Sequence, residues 1–289
     1  MAAVAAFAAF DTGIKFVTLA APIAIVIWAR YVLQFLISAF TLFPRHGAAL
    51  FRTQQPRLQF ARGVLLMLST IFSVLSLGAM PVGEVTAIGM LTPLAITALA
   101  SRTAAEPVDS GRWLLLVGGL LGALIVIRPD HAAFRAAMLL PLAMVGSNAA
   151  FQILTSRVVR TDSVATTHFY TGAVGAGLAT LAVPFAWRIL PAGTWLLVAL
   201  LAVFVSVGHY LLAMAYARAR PAVLTPFLYF QIVFATVAGW VVFSDVPGPW
   251  AWVGIALIAG CGLAGTRPSG RRIGTAVPGL ARAAAGGES

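Results

Sequence analysis

Apolar residues run along this chain in blocks of roughly twenty, parted by short clusters of turn-forming and basic residues. A block of that length crosses a hydrocarbon layer ~30 Å thick as an α-helix. The pattern predicts ten spans, at about 2–20, 23–43, 62–80, 84–101, 111–128, 136–156, 164–185, 194–216, 221–243 and 249–266. The breaks fall where Pro and Gly gather, in LAAP, MPVGE, RPDH, ILPAG and SDVPGP. Residues 268–289 are polar and Gly-rich and read as a disordered tail.

Polar residues inside the blocks are few, which makes their placement informative. AFDTGIKFV places Asp11 and Lys15 four residues apart in the first span, on one helical face. An internal repeat relates this pair to a second one. EPVDSGRWLLLVGGLLGALIVIRP, from Glu106, matches DVPGPWAWVGIALIAGCGLAGTRP, from Asp245, at an offset of 139. At 137, Asp11 meets Asn148, Lys15 meets Gln152 and Ser69 meets Ser206; at 138, Arg30 meets His168. The repeat divides the chain at about residues 1–130 and 131–267, five spans each. An odd number of spans turns the second copy upside down, the architecture of many secondary transporters. Both copies then project a polar stripe toward a hydrated interface at mid-membrane, where an unpaired charge costs at least ~2.5–3.5 kcal/mol. Asp11 paired with Lys15 or Arg30 would meet that cost.

Composition strengthens the membrane reading. Hydrophobic residues make up 61% and charged residues 9%, against about 25% charged in an ordinary soluble domain. Mean hydropathy is +0.96. The net charge of +11 points to topology rather than to a nucleic-acid partner. Fourteen arginines, Arg62 among them, fall in loops of one side or after the last span, and only Arg128, Arg135 and Arg188 on the other. Positive loops stay in the cytoplasm, so both termini are expected there, in the cell (inner) membrane. The first 20 residues lack a basic leader and read as a span, not a secretory signal. Cys261, the single cysteine, has no internal disulfide partner and reads as a small packing residue.

WARYVLQF, opening the second span, and GAMPVGEVTAIGMLTPL, entering the fourth ahead of Glu106, resemble the drug/metabolite transporter superfamily, EamA type. The second copy, Pro221 to Asp245, departs from that signature in having Asp for Glu and Gln231 near the place of Pro93. The resemblance covers about residues 1–267 and implies ten helices, with spans 1–4 and 6–9 around a central cavity and spans 5 and 10 outside it. It implies alternating-access transport of a small metabolite, an amino acid or related compound, proton-coupled or exchanging, without a cofactor.

Candidate pathway residues follow from chemistry. Asp11 is a carboxyl able to take up and release a proton, or to hold a substrate amine. Lys15 and Arg30 could hold a carboxylate, Arg in bidentate fashion. Asn148 and Gln152 could bind substrate or bond between helices. His168 and His209 could relay protons. Tyr210, Tyr229 and Gln231 could line a pocket of mixed character. Glu84 reads as a helix-dipole acid, and Glu106 and Asp245 as loop residues. Gly118 with Gly122, and Gly172, Gly175 and Gly177, permit close helix contact; Trp113, Trp250 and Trp252 suit an interfacial belt. Phosphate-binding, nucleophile-elbow, zinc-protease and Cys/His cluster motifs are absent from the sequence, so no metal and no catalytic residue is expected. The alternative to transport is an intramembrane enzyme, with His209 beside Ser206, or a membrane scaffold. A homodimer is left open.

Overall fold

The computed structural model describes residues 1–18, 21–79, 85, 88–103, 109–127, 138–243 and 248–265. Its helices are α1 (Ala2–Thr18), α2 (Ile23–His46), α3 (Pro56–Ala79), α4 (Thr92–Thr103), α5 (Ser110–Ile127), α6 (Leu139–Val158), α7 (Val164–Ala182), α8 (Ala192–Arg218), α9 (Pro221–Leu228), α10 (Phe230–Phe243) and α11 (Pro249–Gly265). Turns of 3-10 helix, Gly47–Phe51 and Val183–Ala186, follow α2 and α7. Glu84, Glu106, Asp245, Arg128, Arg135 and the tail from 266 lie outside the described residues, as does the side chain of Lys15.

Local chemistry sets the ends. Gly47, at φ +54°, closes α2 with its N–H on the Phe43 carbonyl, a backbone angle that an L side chain seldom adopts. Ser163 caps α7, its Oγ accepting from the Thr166 N–H at 3.0 Å. Pro56, Pro221 and Pro249 stand at the first position of α3, α9 and α11, where a missing N–H costs nothing. Pro226 lies inside α9, and the ninth predicted span breaks three residues later, at Tyr229, into α9 and α10. The third span starts at Pro56 rather than at 62. Arg62 is therefore a residue of α3, only 2% exposed, and not the loop charge that the sequence suggested.

Among the described residues, six stretches are long and apolar enough to cross a membrane: Ile23–Phe51, Pro56–Ser76, Leu139–Val158, Val164–Ala186, Ala192–Arg218 and Val223–Val242. Shorter apolar helices cover Ala2–Ile14, Ser110–Val126 and Pro249–Ala264. Large apolar side chains such as Leu114, Leu181, Phe185, Ile189 and Val241 are largely exposed, which only a lipid solvent tolerates at this density. The chain is an all-α membrane protein.

The broadest helix contacts join α5 to α11, α3 to α6, α2 to α7, α1 to α8 and α1 to α10. Further contacts join α3 to α7, α2 to α8, α4 to α6 and α4 to α9. Glycine makes the closest approaches. A Cβ on Gly254 would lie 2.5 Å from the Gly122 carbonyl oxygen, and one on Gly172 would lie 2.9 Å from Phe35 Cα. Gly118 and Gly175 are equally closed, against Cys261 and the Tyr31 ring, whereas Gly177 faces open space. Trp250 and Trp252 are exposed at the start of α11, and Trp113 packs into the α5–α11 core.

Candidate functional site

Buried polar side chains gather where α2, α3, α6, α7 and α8 meet. Arg30, Gln34 and Ser38 succeed one another at four-residue spacing on α2 and are 8%, 0% and 1% exposed. The fork of Arg30 is used by neutral partners: Nη1 donates to Thr70 Oγ1 at 3.0 Å, and Nη2 meets His209 Nε2 at 3.1 Å. Its guanidinium also lies 5.5 Å from the Phe10 ring centre and 4.9 Å from that of Tyr31. Because an arginine donates only, His209 accepts through Nε2, and the neutral ring carries its proton on Nδ1. That nitrogen is buried and without a partner. The His209 ring stands edge-on to Phe7 and Phe151, with centres 4.9 and 5.7 Å apart.

The expected pairing of Asp11 with Arg30 is not formed, since both arms of Arg30 are engaged elsewhere. Asp11 instead accepts from Gln231 Nε2 at 2.5 Å, a bond from α1 to α10 between two residues singled out in the sequence. Arg30 remains within electrostatic reach of the carboxylate. Asp11 is itself exposed, on a helix whose neighbouring residues Ala8 and Val17 are buried.

Asn148 and Gln152 take the interhelical role. Tyr216 Oη donates to Gln152 Oε1 at 2.5 Å, Gln152 Nε2 to Asn148 Oδ1 at 2.6 Å, and Asn148 Nδ2 to Ser69 Oγ at 3.3 Å. One polar chain thus ties α8 to α6 to α3. His168 Nε2 meets Ser206 Oγ at 3.0 Å, and Tyr210 stands edge-on to the His168 ring at 5.4 Å. The Ser206–His209 pairing of the enzyme alternative is absent, because each side chain bonds to another helix. Tyr229 lies apart, fully buried in the α5–α11 core against Gly119, its hydroxyl without a partner.

The sequence reading passed over the second buried cation. Arg62 Nη1 donates to Thr155 Oγ1 at 3.2 Å; Nη2 donates to Gln59 Oε1 at 3.2 Å, to Thr171 Oγ1 at 2.6 Å and to the Thr167 carbonyl. Gln59 Nε2 in turn donates to Asp162 Oδ2 at 2.9 Å. Asp162, 7% exposed, also accepts from the Gln54 N–H at 2.9 Å and from the Thr53 hydroxyl. Pro56, a helix-start signal, could have moved the start of α3 back by nearly two turns and so brought Gln59 and Arg62 onto one helical face. Nothing in RTDS marks Asp162 as buried.

Arg62, Thr155, Thr171, His168, His209 and Phe151 line one small pocket between α3, α6, α7 and α8. Among the described residues no group of three His, Cys, Asp or Glu could hold a metal ion. In this arrangement the cavity has room for about one water molecule, so a larger solute needs the surrounding helices to part; its walls offer cationic and hydrogen-bonding groups on one side and aromatic rings on the other.

The EamA-like transporter family matches residues 135–265. A riboflavin transporter of Rhizobium johnstonii is 31% identical over 250 residues, which is 85% of this chain and 81% of the relative. An S-adenosylmethionine uptake transporter of Rickettsia felis is 26% identical over 220 residues, 74% of each. A solved crystal structure superposes with a TM-score of 0.77 at 18% identity, over 92% of this chain and 96% of its own, a likeness of fold alone.

Proposed function

The chain belongs to the EamA-like transporter family, and from that premise we propose that it moves a small heteroaromatic metabolite of the riboflavin kind by alternating access. As a multi-pass membrane transporter and not an enzyme, it needs a site that binds a solute and releases it unchanged. The observation that carries the reading is the pocket of Arg62, His168 and His209 beside Phe151. Its wall combines aromatic edges with hydrogen-bond donors, which suits a flat ring bearing carbonyl oxygens. Neither relative above is named for an amino acid, and the relative with the higher identity is named for riboflavin.

Residues 1–130 and 131–267 are inverted copies in this reading. Exchange α1–α5 for α6, α7, α8, α9 with α10, and α11, and the nine broadest helix contacts map onto one another. The α1–α8 contact becomes α6–α3, α1–α10 becomes α6–α4, and α2–α8 becomes α7–α3; α2–α7, α4–α9 and α5–α11 are their own images. That closure supports a two-fold relation. Removing Arg62 from the loop count leaves thirteen arginines against three, so the charge asymmetry still favours cytoplasmic termini. Asp11 is the proposed proton site.

The test is uptake of labelled riboflavin into proteoliposomes, with S-adenosylmethionine and a set of amino acids as competitors. Saturable riboflavin uptake, competed by unlabelled flavin, is expected. Uptake of an amino acid with no flavin competition would overturn the substrate reading.

A further inference from the structure

The pocket contains an asymmetry of hydrogen-bonding capacity. Two of its lining residues each keep a buried nitrogen with no partner, Nε of Arg62 and Nδ1 of His209. Both are N–H donors. An arginine has no acceptor, and the contact with Arg30 leaves the His209 proton on Nδ1. The threonine hydroxyls of the wall and Nε2 of His168 are engaged. Thr155 and Thr171 donate to the carbonyls of Phe151 and Thr167, and accept from Arg62. His168 Nε2 is held by Ser206. Among the described residues, Arg30 and Arg62 have no carboxylate within ion-pair distance, so both charges rest on neutral acceptors. Such an arrangement leaves a buried donor surplus, and an orphaned buried donor destabilises whatever state contains it.

We propose that Arg62 Nε and His209 Nδ1 form a selectivity clamp that receives an oxygen-acceptor edge of the transported solute. Arg30 is a positioning residue that fixes the ring of His209 from behind. This rests on the transport reading and adds which end of the solute enters first and why. The chemistry shared by acceptable solutes is an edge that presents acceptor oxygens, whether a carbonyl of a heterocycle or a carboxylate. An amine or sulfonium end is rejected, since it would set a cation beside the Arg62 guanidinium, with Arg30 behind His209, and an amine would also find no acceptor for its protons. Selection in this pocket thus works mainly by what is left unpaired when the wrong group enters.

The experiment is a thermal-shift panel on the purified full chain, with riboflavin, its 2-thio and 4-thio analogues, S-adenosylmethionine, and free and esterified amino acids. Three variants are compared: Arg62→Met, His209→Asn and His209→Gln. The Asn amide reproduces a donor near the place of Nδ1, whereas Gln reproduces only the Nε2 end that meets Arg30. Whichever compound stabilises the wild type, masking its acceptor oxygens, by sulfur or by an ester, is expected to weaken binding about tenfold. His209→Gln should do the same, with His209→Asn restoring most of the affinity. Arg62→Met is expected to lower stability outright, so the two His209 variants decide the result independently. Binding that survives both masking and His209→Gln overturns the clamp, even with riboflavin as the ligand. A carboxylate hit lost in His209→Gln, with no flavin hit, keeps the clamp and removes the flavin reading. A panel without any hit overturns both.

Discussion

Arg30 is a buried cation whose two arms end on Thr70 and on His209. A lysine cannot span both partners or lie flat on Phe10 and Tyr31. Arg30→Lys is therefore expected to lower kcat/KM for uptake about tenfold or more at unchanged expression, and wild-type kinetics in that variant would refute the positioning role. Tyr216 makes the opposite prediction. Its hydroxyl ends the chain through Gln152 and Asn148 to Ser69, and that chain is stitching between helices. Tyr216→Phe should cost about 1 kcal/mol of stability, seen as a lower melting temperature with solute affinity unchanged. At this scale the sequence was informative where an interrupted apolar run exposed the residue. Asp11, Gln231, His168 and His209 all stood out, and the structure joins the first two directly. Arg62 and Asp162 did not stand out, because each sits beside a turn where a charge looks ordinary, and only the tertiary contacts bury them.

At the scale of elements, the connection between α2 and α3 is sewn to the start of α7. Asp162 takes three donors from residues 53–59, Gln55 Nε2 reaches Thr161 Oγ1 at 2.9 Å, and Tyr170 Oη reaches the Phe51 carbonyl at 3.0 Å. Asp162→Asn exchanges one acceptor oxygen for a donor that faces other donors, at a cost of about 1–3 kcal/mol. Faster amide exchange at residues 52–55 is the expected readout; unchanged protection there would show that the carboxylate does not hold the loop. Helix approach gives a paired test. Gly254→Ala drives a methyl into the Gly122 carbonyl and should cost about 1–3 kcal/mol, whereas Gly177→Ala meets nothing within 4 Å and should be neutral or slightly stabilising. Melting temperatures of the two variants in one detergent decide this, and equal values would refute the backbone contact. The small-residue spacings were legible in the sequence, but which of those glycines touch a partner was not. That depends on which face of each helix turns to lipid, and in a chain apolar on every side periodicity carries little of that information. The break at Tyr229 was unforeseen for a related reason, since Pro226 near a helix start is compatible with an unbroken span.

At the scale of the whole molecule, the proposed alternating access requires the contacts around the pocket to exchange between two arrangements. Asp11 contacts α10 through Gln231, and Arg30 stays within its electrostatic reach, so its protonation would alter both interactions at once. Asp11→Asn is expected to abolish the response of uptake to an imposed pH gradient while leaving solute exchange between equal pools intact. A gradient response undiminished in that variant removes Asp11 from the coupling. The membrane class could be read from the sequence, because a bilayer imposes length and composition on each helix separately. The pairing of helices could not, because it depends on side chains far apart in the chain.

That pairing has a consequence for how the protein is made. The broadest contacts of α1, α2 and α3 are with α8, α7 and α6, while contacts among the first five helices themselves are sparse. During synthesis the early helices enter the bilayer before their neighbours exist. At ~5–20 residues per second, α3 waits on the order of ten seconds for α6 and α7, with Arg30, Gln34 and Arg62 facing lipid or whatever insertion machinery shields them. A chain cut short before α6 is left holding those groups without the cover of the later helices. It should be cleared by membrane proteases long before any question of transport arises.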